Sequence, residues 1–182
     1  GDAMQHSVQF KWAWDARNRQ YDYEPNFRYL RPYLADADVS VVNFETTLSG
    51  KPYSGYPKFR TPDAFFGALG AYRDTASRRE QYPLILHIDD MKIALFNATY
   101  GTNGLVPVWP NCVNYIETEQ LEIDLANSLK DTTIEMRIMY IHWGTEYQLQ
   151  HNAYQQGVGQ WLADLGIDLI IGGHPHVVQD YG

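Results

Sequence analysis

The stretch IDLIIGGHPH at residues 167–176 joins a short apolar run to two glycines and two histidines. The run 167–171 predicts a short buried strand that leads into the glycines. Glycine lets backbone approach closely, and the proline between the histidines stiffens the loop. Side chains two apart in an extended segment point the same way, and imidazole is the commonest metal ligand. The stretch therefore predicts a metal-binding loop at a strand end, the alternative being a turn that carries two surface histidines, His174 and His176.

The residues before this stretch predict a strand and a helix. Residues 134–141 are rich in isoleucine and methionine and indicate a buried strand, and His142 follows it directly. A helix should come next, with Gly166 at its C-cap and with one apolar face made of Tyr154, Val158, Trp161, Leu162 and Leu165. This strand–helix–strand alternation predicts an α/β sheet with its chemistry at the strand ends.

The same patterns predict the remaining elements. They are a short helix around 25–35, a buried strand at 39–44 that ends at Glu45, a long surface loop at 49–63, a hairpin of strands 84–88 and 92–98, a turn-rich loop at 100–104, and a helix that carries Leu121, Leu125 and Leu129.

Polar side chains lie at two further strand ends. His142 is either a core histidine whose ring nitrogens are hydrogen-bonded within the protein or a metal ligand. The strand that leads to His174 and His176 also ends in histidines, which favours ligation. Glu146 either orients a ligand or is a solvated charge. Asn43 and Glu45 offer a neutral and an anionic oxygen ligand, although Glu45 alternatively caps the following loop.

A mixture of carboxylate, amide and imidazole donors suits Mn, Fe or Zn. Two such cations a few ångströms apart can bind a phosphoryl oxygen and activate water for attack on it. Asp2 and His6 also carry metal-binding groups, but by themselves they equally fit a polar N-terminal tail.

Composition limits the functions that this chain can have. Its 182 residues suffice for one domain, and its net charge of −8 argues against nucleic acid as a partner. An anionic substrate must therefore meet bound metal or clustered arginine and lysine. The single cysteine, Cys112, allows no internal disulfide and no cysteine-based metal cluster. The sequence shows no bilayer-spanning apolar run and no signal peptide.

Five aromatic residues in predicted loops or just past strand ends have two interpretations. They either wall a groove for a polymer or pack beneath long loops. They are Tyr53, Tyr56, Tyr100, Trp109 and Tyr147.

Six motifs together resemble the CapA family of capsule and poly-γ-glutamate synthesis proteins. They occur in the family's order and cover nearly the whole chain. They are GDAMQH at 1–6, VNFETTL at 42–48, GYPKFRTPD at 55–63, NATYGTNG at 97–104, HWGTEY at 142–147 and GHPH at 173–176.

The resemblance implies a fold and a site. The fold is that of the calcineurin-like metallophosphoesterases, an α/β architecture in which a β-sandwich is flanked by α-helices. The implied cofactors are two divalent metal ions, Mn, Fe or Zn, and His142 and His174 are the implied catalytic residues. The implied metal ligands are Asp2, His6, Asn43, Glu45, His142, His174 and His176.

The resemblance also implies a function. We expect a metal-dependent hydrolase that acts on a phosphoester or a γ-glutamyl-type bond during capsule or poly-γ-glutamate synthesis or export. The alternative is a non-catalytic component that binds metal and an anionic polymer within a membrane synthesis complex. Both place the protein outside the cytoplasm or at a membrane.

One family motif is missing from the sequence. Family members carry Asn-Asn-His between the proline-rich segment and the hairpin, whereas this chain passes from Leu69 directly to Gly70. We expect a single domain over 1–182, truncated at both ends, in which a stretch near 69–70 is unobserved. The alternative is a true deletion, which would put metal binding and catalysis in doubt.

Overall fold

The computed structural model describes residues 2–37, 40, 42–46, 51–56, 59–60, 82–104 and 113–181. The chain divides into two compact units, Gly1–Tyr72 with Thr102–Val108 and Arg73–Gly101 with Trp109–Gly182. The single domain expected from the sequence stays a prediction. Trp109, Cys112 and the junction at 69–70 lie outside the described residues.

The first unit contains short elements. In chain order they are β1 (Asp2–Ala3), α1 (Ser7–Trp12), β2 (Trp14–Asp15), β3 (Gln20–Tyr21), α2 (Glu24–Phe27), α3 (Arg31–Ala35) and β4 (Asn43–Phe44). Strands β1 and β4 pair in parallel, and β2 and β3 pair antiparallel. Ala13 and Tyr23 are buried and pack with Tyr21 and Phe27. Burial raises the pKa of Tyr23 to about 12, and Gln5 donates a hydrogen bond to its hydroxyl.

Two predictions for the first unit need correction. The helix predicted around 25–35 is two short helices, α2 and α3, each with a proline in its first turn. Proline lacks an N–H and is tolerated in the first turn of a helix, so Pro32 lies at the start of α3. The predicted strand at 39–44 is only Asn43–Phe44 where it is described. Val42 precedes it and is 44% exposed, so its predicted burial is wrong.

The second unit is built on a four-stranded sheet. It contains β5 (Leu84–Ile88), β6 (Met91–Thr99), α4 (Glu119–Lys130), β7 (Met136–His142), α5 (Ala153–Asp164) and β8 (Leu169–Gly173). The strand order is β5-β6-β7-β8. Strands β5 and β6 form an antiparallel hairpin, while β6, β7 and β8 run parallel. The mixed α/β architecture expected from the sequence is therefore present in this unit.

The core of the second unit lies between one face of the sheet and the two helices. Alternate residues of β6 and β7 point into it, among them Phe96 and Met139, which are register partners. The helices contribute Leu121 and Leu125 from α4 and Val158 and Leu162 from α5.

Most predictions for the second unit are confirmed. The hairpin, α4 and α5 are present, and Gly166 follows α5 in the left-handed conformation with φ of 87°. The predicted strand at 167–171 begins later, at Leu169, and its predicted burial is wrong for Leu169 and Ile171, which are 41% and 38% exposed. The reason is its position, because β8 pairs with β7 alone among the described strands.

No helix in the described part of the chain is long and apolar enough to cross a membrane.

Candidate metal centre

Three parallel strands end at the same edge of the sheet of the second unit. Thr99, His142 and Gly173 are register partners at the carboxyl ends of β6, β7 and β8. The backbone N–H of Tyr100 donates to the carbonyl of His142 at 3.0 Å, and that of Trp143 donates to the carbonyl of Gly173 at 3.2 Å. The ladder thus continues past the strands and fixes the start of each loop.

Three of the five imidazoles of the second unit, those of His142, His174 and His176, lie together at this edge. The ring centroids of His142 and His174 are 4.6 Å apart, and those of His174 and His176 are 6.0 Å apart. His174 is buried, with 8% of its surface exposed, whereas His176 is exposed. Imidazole suits borderline cations such as Zn and Fe, so the donor chemistry of this cluster fits a metal of the predicted kind.

Tyr100 belongs to the same cluster. Its ring is stacked on that of His142, with centroids 5.7 Å apart and an interplanar angle of 6°, and its centroid is 4.9 Å from that of His174. The sequence placed Tyr100 in a loop, either in a polymer groove or in ordinary packing. The signal that locates it is its position directly after β6, beside the end of β7.

The two loops of the cluster adopt uncommon backbone conformations. The φ angles are 93° at His174, 55° at His176, 61° at Tyr147 and 91° at Gly144. Non-glycine residues with positive φ are uncommon, and such conformations concentrate at functional sites. The N–H of Tyr147 donates to the carbonyl of Pro175 at 2.8 Å, which ties one loop to the other. Backbone conformation and this hydrogen bond therefore set the positions of His174 and His176.

Gly144 turns the chain just after His142 and packs against Gln155. A Cβ at position 144 would lie 2.9 Å from Cδ and Nε2 of Gln155. Gln155 is buried, donates to Oε1 of Gln179 at 2.8 Å and accepts from the N–H of Asn152 at 3.0 Å. Because Gln155 is held on both sides, it cannot easily make room.

Gly144→Ala is therefore expected to lower the free energy of unfolding by about 2–4 kcal/mol, through left-handed backbone strain and overpacking. Gly157→Ala is the matched control, since position 157 lies within α5 and a Cβ added there would meet nothing within 4 Å. That change should stabilise the protein by about 0.5–1 kcal/mol because alanine favours a helix interior. Urea unfolding of both variants checks the opposite signs, and equal effects would contradict the account of the Gly144 turn.

The predicted ligands of the first unit lie around β1 and β4. Asp2 and Asn43 are register partners in this parallel pair, and the N–H of Glu45 donates to the carbonyl of Ala3 at 3.1 Å. His6 directly precedes α1 and is exposed, with Nδ1 3.2 Å from Oγ of Ser7. The structure brings these stretches together within one unit and His142, His174 and His176 together within the other. A single ligand set drawn from both units stays a prediction.

Three more of the five aromatic residues are described, and each lies near another ring, although Tyr56 and Tyr147 are exposed. In the first unit, the Tyr53 ring lies 5.6 Å from that of Tyr21, and the Tyr56 ring lies 6.0 Å from that of Phe59. In the second unit, the Tyr147 ring lies 6.0 Å from that of His176. Packing thus accounts for Tyr53, whereas Tyr147 lies beside the histidine cluster.

The second unit defines a class of protein, a mixed α/β protein with a cluster of imidazoles at the carboxyl edge of its parallel strands. The particular family follows from comparison with known sequences. The chain belongs to the family described as bacterial capsule synthesis protein PGA_cap, whose model matches residues 1–73 and 66–182. The resemblance to CapA proteins is therefore confirmed.

Two relatives carry the same kind of name. The chain is similar to a capsule biosynthesis protein CapA of Bacillus anthracis, with 32% identity over 60 residues, which are 33% of this chain and 15% of that protein. It is also similar to a PGA biosynthesis protein CapA of Bacillus subtilis (strain 168), with 29% identity over 84 residues, 46% of this chain and 20% of that protein. The matched stretches thus span a fifth or less of each relative. No solved structure gives a significant match.

Proposed function

We propose that this chain is a metal-dependent hydrolase domain that acts in the synthesis or export of a capsule polymer such as poly-γ-glutamate. The observation that carries the proposal is the cluster of His142, His174 and His176 at the carboxyl edge of the parallel strands. The family and the names of the relatives support the capsule setting. The mixed α/β sheet is compatible with a calcineurin-like metallophosphoesterase fold, which remains part of the proposal.

The proposed cofactors are two divalent cations, Mn, Fe or Zn. His142, His174 and His176 would hold them, together with Asp2, His6, Asn43 and Glu45 of the first unit. Cations of this kind supply Lewis acidity and lower the pKa of bound water. The residues of the second unit contribute preformed positions, because their loops are fixed by backbone hydrogen bonds. His142 and His174, whose ring centroids are 4.6 Å apart, are the proposed catalytic residues.

The proposed substrate is an anionic polymer or phosphoester. The chain has a net charge of −8, so an anion is not drawn to it by long-range attraction. Bound cations would supply the missing local positive charge. We place the protein outside the cytoplasm or at a membrane, with partners in a polymer synthesis complex.

Metal-dependent turnover tests the proposal. The chain is stripped with a chelator, reloaded with Mn²⁺, and assayed with bis(p-nitrophenyl) phosphate and with γ-glutamyl p-nitroanilide. We expect hydrolysis of one of the two only after reloading, and the preferred one identifies the bond class. If the protein binds Mn²⁺ but hydrolyses neither substrate, the proposed hydrolase activity is wrong.

A second function has an observation in its favour. The family match consists of two segments that overlap at 66–73, where the sequence lacks the Asn-Asn-His motif. If the motif is truly deleted, the chain would bind an anionic polymer through metal without cleaving it. Retention of poly-γ-glutamate in the presence of Mn²⁺, lost on chelation and unaccompanied by turnover, distinguishes this function from the hydrolase.

A further inference from the structure

Glu146 lies beside two of the histidines. A carboxylate oxygen of Glu146 and ring nitrogens of His174 and His176 all lie within 4.8 Å of one another. Ligand atoms at about 2.1 Å from one cation are about 3.0–4.2 Å apart, so the separations of these three donors are close to those that a single ion requires. The three residues belong to one unit, and their spacing depends on that unit alone.

The backbone explains why a residue four positions after His142 reaches the histidine loop. Gly144 turns the chain with φ of 91°, and Tyr147 also has positive φ. The backbone hydrogen bond from Tyr147 to Pro175 then joins the two loops. Glu146 directly precedes Tyr147, and His174 and His176 flank Pro175, so the bond lies next to all three donors. The approach of Glu146 is therefore built into two ordered loops.

The charge of Glu146 is not neutralised by a lysine or an arginine among the described residues. Glu146 is exposed, and within the described part of the chain it forms no salt bridge with a lysine or an arginine. The positive φ angles at His174 and His176 cost conformational energy, and such strain persists where the surrounding structure imposes it. A carboxylate with two imidazoles is also the donor set of catalytic zinc sites that keep one position open.

We propose that Glu146 is a direct ligand of a divalent cation that it shares with His174 and His176. The inference rests on the proposed function, because it assigns ligands to one of the two proposed cations. It gives Glu146 a third role, in place of the two that the sequence left open, a residue that orients a ligand or a solvated charge. Two neutral imidazoles and one carboxylate select Zn, Mn or Fe over Mg or Ca, which prefer oxygen ligands alone.

The test compares Glu146→Gln with Glu122→Gln in chelator-treated protein. Glutamine keeps the shape of the side chain and removes its charge, and Glu122 is an exposed glutamate on α4 of the same unit. Zn²⁺ affinity is measured by isothermal titration, and the visible absorption of Co²⁺-loaded protein reports the ligands directly. We expect Glu146→Gln to weaken Zn²⁺ binding at least about 10-fold and to shift the Co²⁺ bands, and Glu122→Gln to change neither.

The outcomes separate this inference from the proposed function. Unchanged affinity and spectrum in Glu146→Gln, with binding lost in His174→Ala, would overturn the ligand assignment and leave the metal site standing. A weaker site with shifted bands supports the assignment even if the wild-type protein hydrolyses nothing. Weaker binding with unshifted bands would make Glu146 an orienting residue and overturn direct ligation. A wild-type chain that binds no Zn²⁺, Mn²⁺ or Co²⁺ would overturn both.

Discussion

Replacing His174 by alanine is expected to lower the affinity for Zn²⁺ or Mn²⁺ by at least about 100-fold, because it removes the imidazole at the centre of the cluster. The centroid of its ring lies 4.6 Å from that of His142 and 6.0 Å from that of His176. Neither of these imidazoles occupies the position between the other two, so neither can replace His174 as a ligand. Metal content after reloading and dialysis, measured by elemental analysis, and isothermal titration both check the loss. Metal-dependent hydrolysis should disappear with it.

His87→Ala is the matched control for this experiment. His87 lies on β5 in the same unit and is exposed, so the substitution makes the same chemical change away from the strand ends. We expect His87→Ala to bind metal like the wild-type chain. Equal metal content in the two variants, with unfolding midpoints of the metal-free proteins unchanged, would remove the histidine cluster as a metal site.

Local sequence pattern predicted that His142, His174 and His176 follow the ends of strands. Each of the three parallel strands is rich in apolar residues, and parallel strands align their carboxyl ends at one edge. The structure pairs β7 with β8 in parallel, and this pairing places His142 beside the loop that carries His174. The neighbours of these histidines were harder to predict, because Tyr100 and Glu146 are placed by loops whose left-handed residues leave no periodic signal.

Short elements in the first unit show where local pattern fails. Val39, Val41 and Val42 predict a buried strand, yet Val42 is exposed and β4 begins only at Asn43. A β-branched run reports a preference for extended backbone, whereas burial depends on which other element covers it. The same limit explains β8, where an apolar run forms a strand with two exposed side chains because it has one described neighbour.

The apolar face of α4 was predicted correctly in position but not in extent. Leu121, Leu125 and Leu129 recur every four residues, and a helix turns once in 3.6 residues, so the row drifts by about 40° at each step. Leu129 consequently emerges 48% exposed, and Ser128 takes the buried position instead. The Ser128 hydroxyl donates to the carbonyl of Leu125 at 2.7 Å and accepts from Arg137 at 3.2 Å, which satisfies a buried polar group.

This drift predicts that two identical substitutions in one helix will differ several-fold in cost. Leu125 is fully buried between α4 and the sheet, so Leu125→Ala should remove about 2–5 kcal/mol from the free energy of unfolding by leaving a cavity. Leu129→Ala should cost about 1 kcal/mol or less, because half of that side chain already meets water. Urea denaturation followed by circular dichroism measures both values.

A small domain is stable by only about 5–15 kcal/mol, so Leu125→Ala should also loosen the sheet that positions His142, and metal affinity should fall in that variant alone. Similar losses from the two substitutions would mean that the core does not lie where α4 meets the sheet.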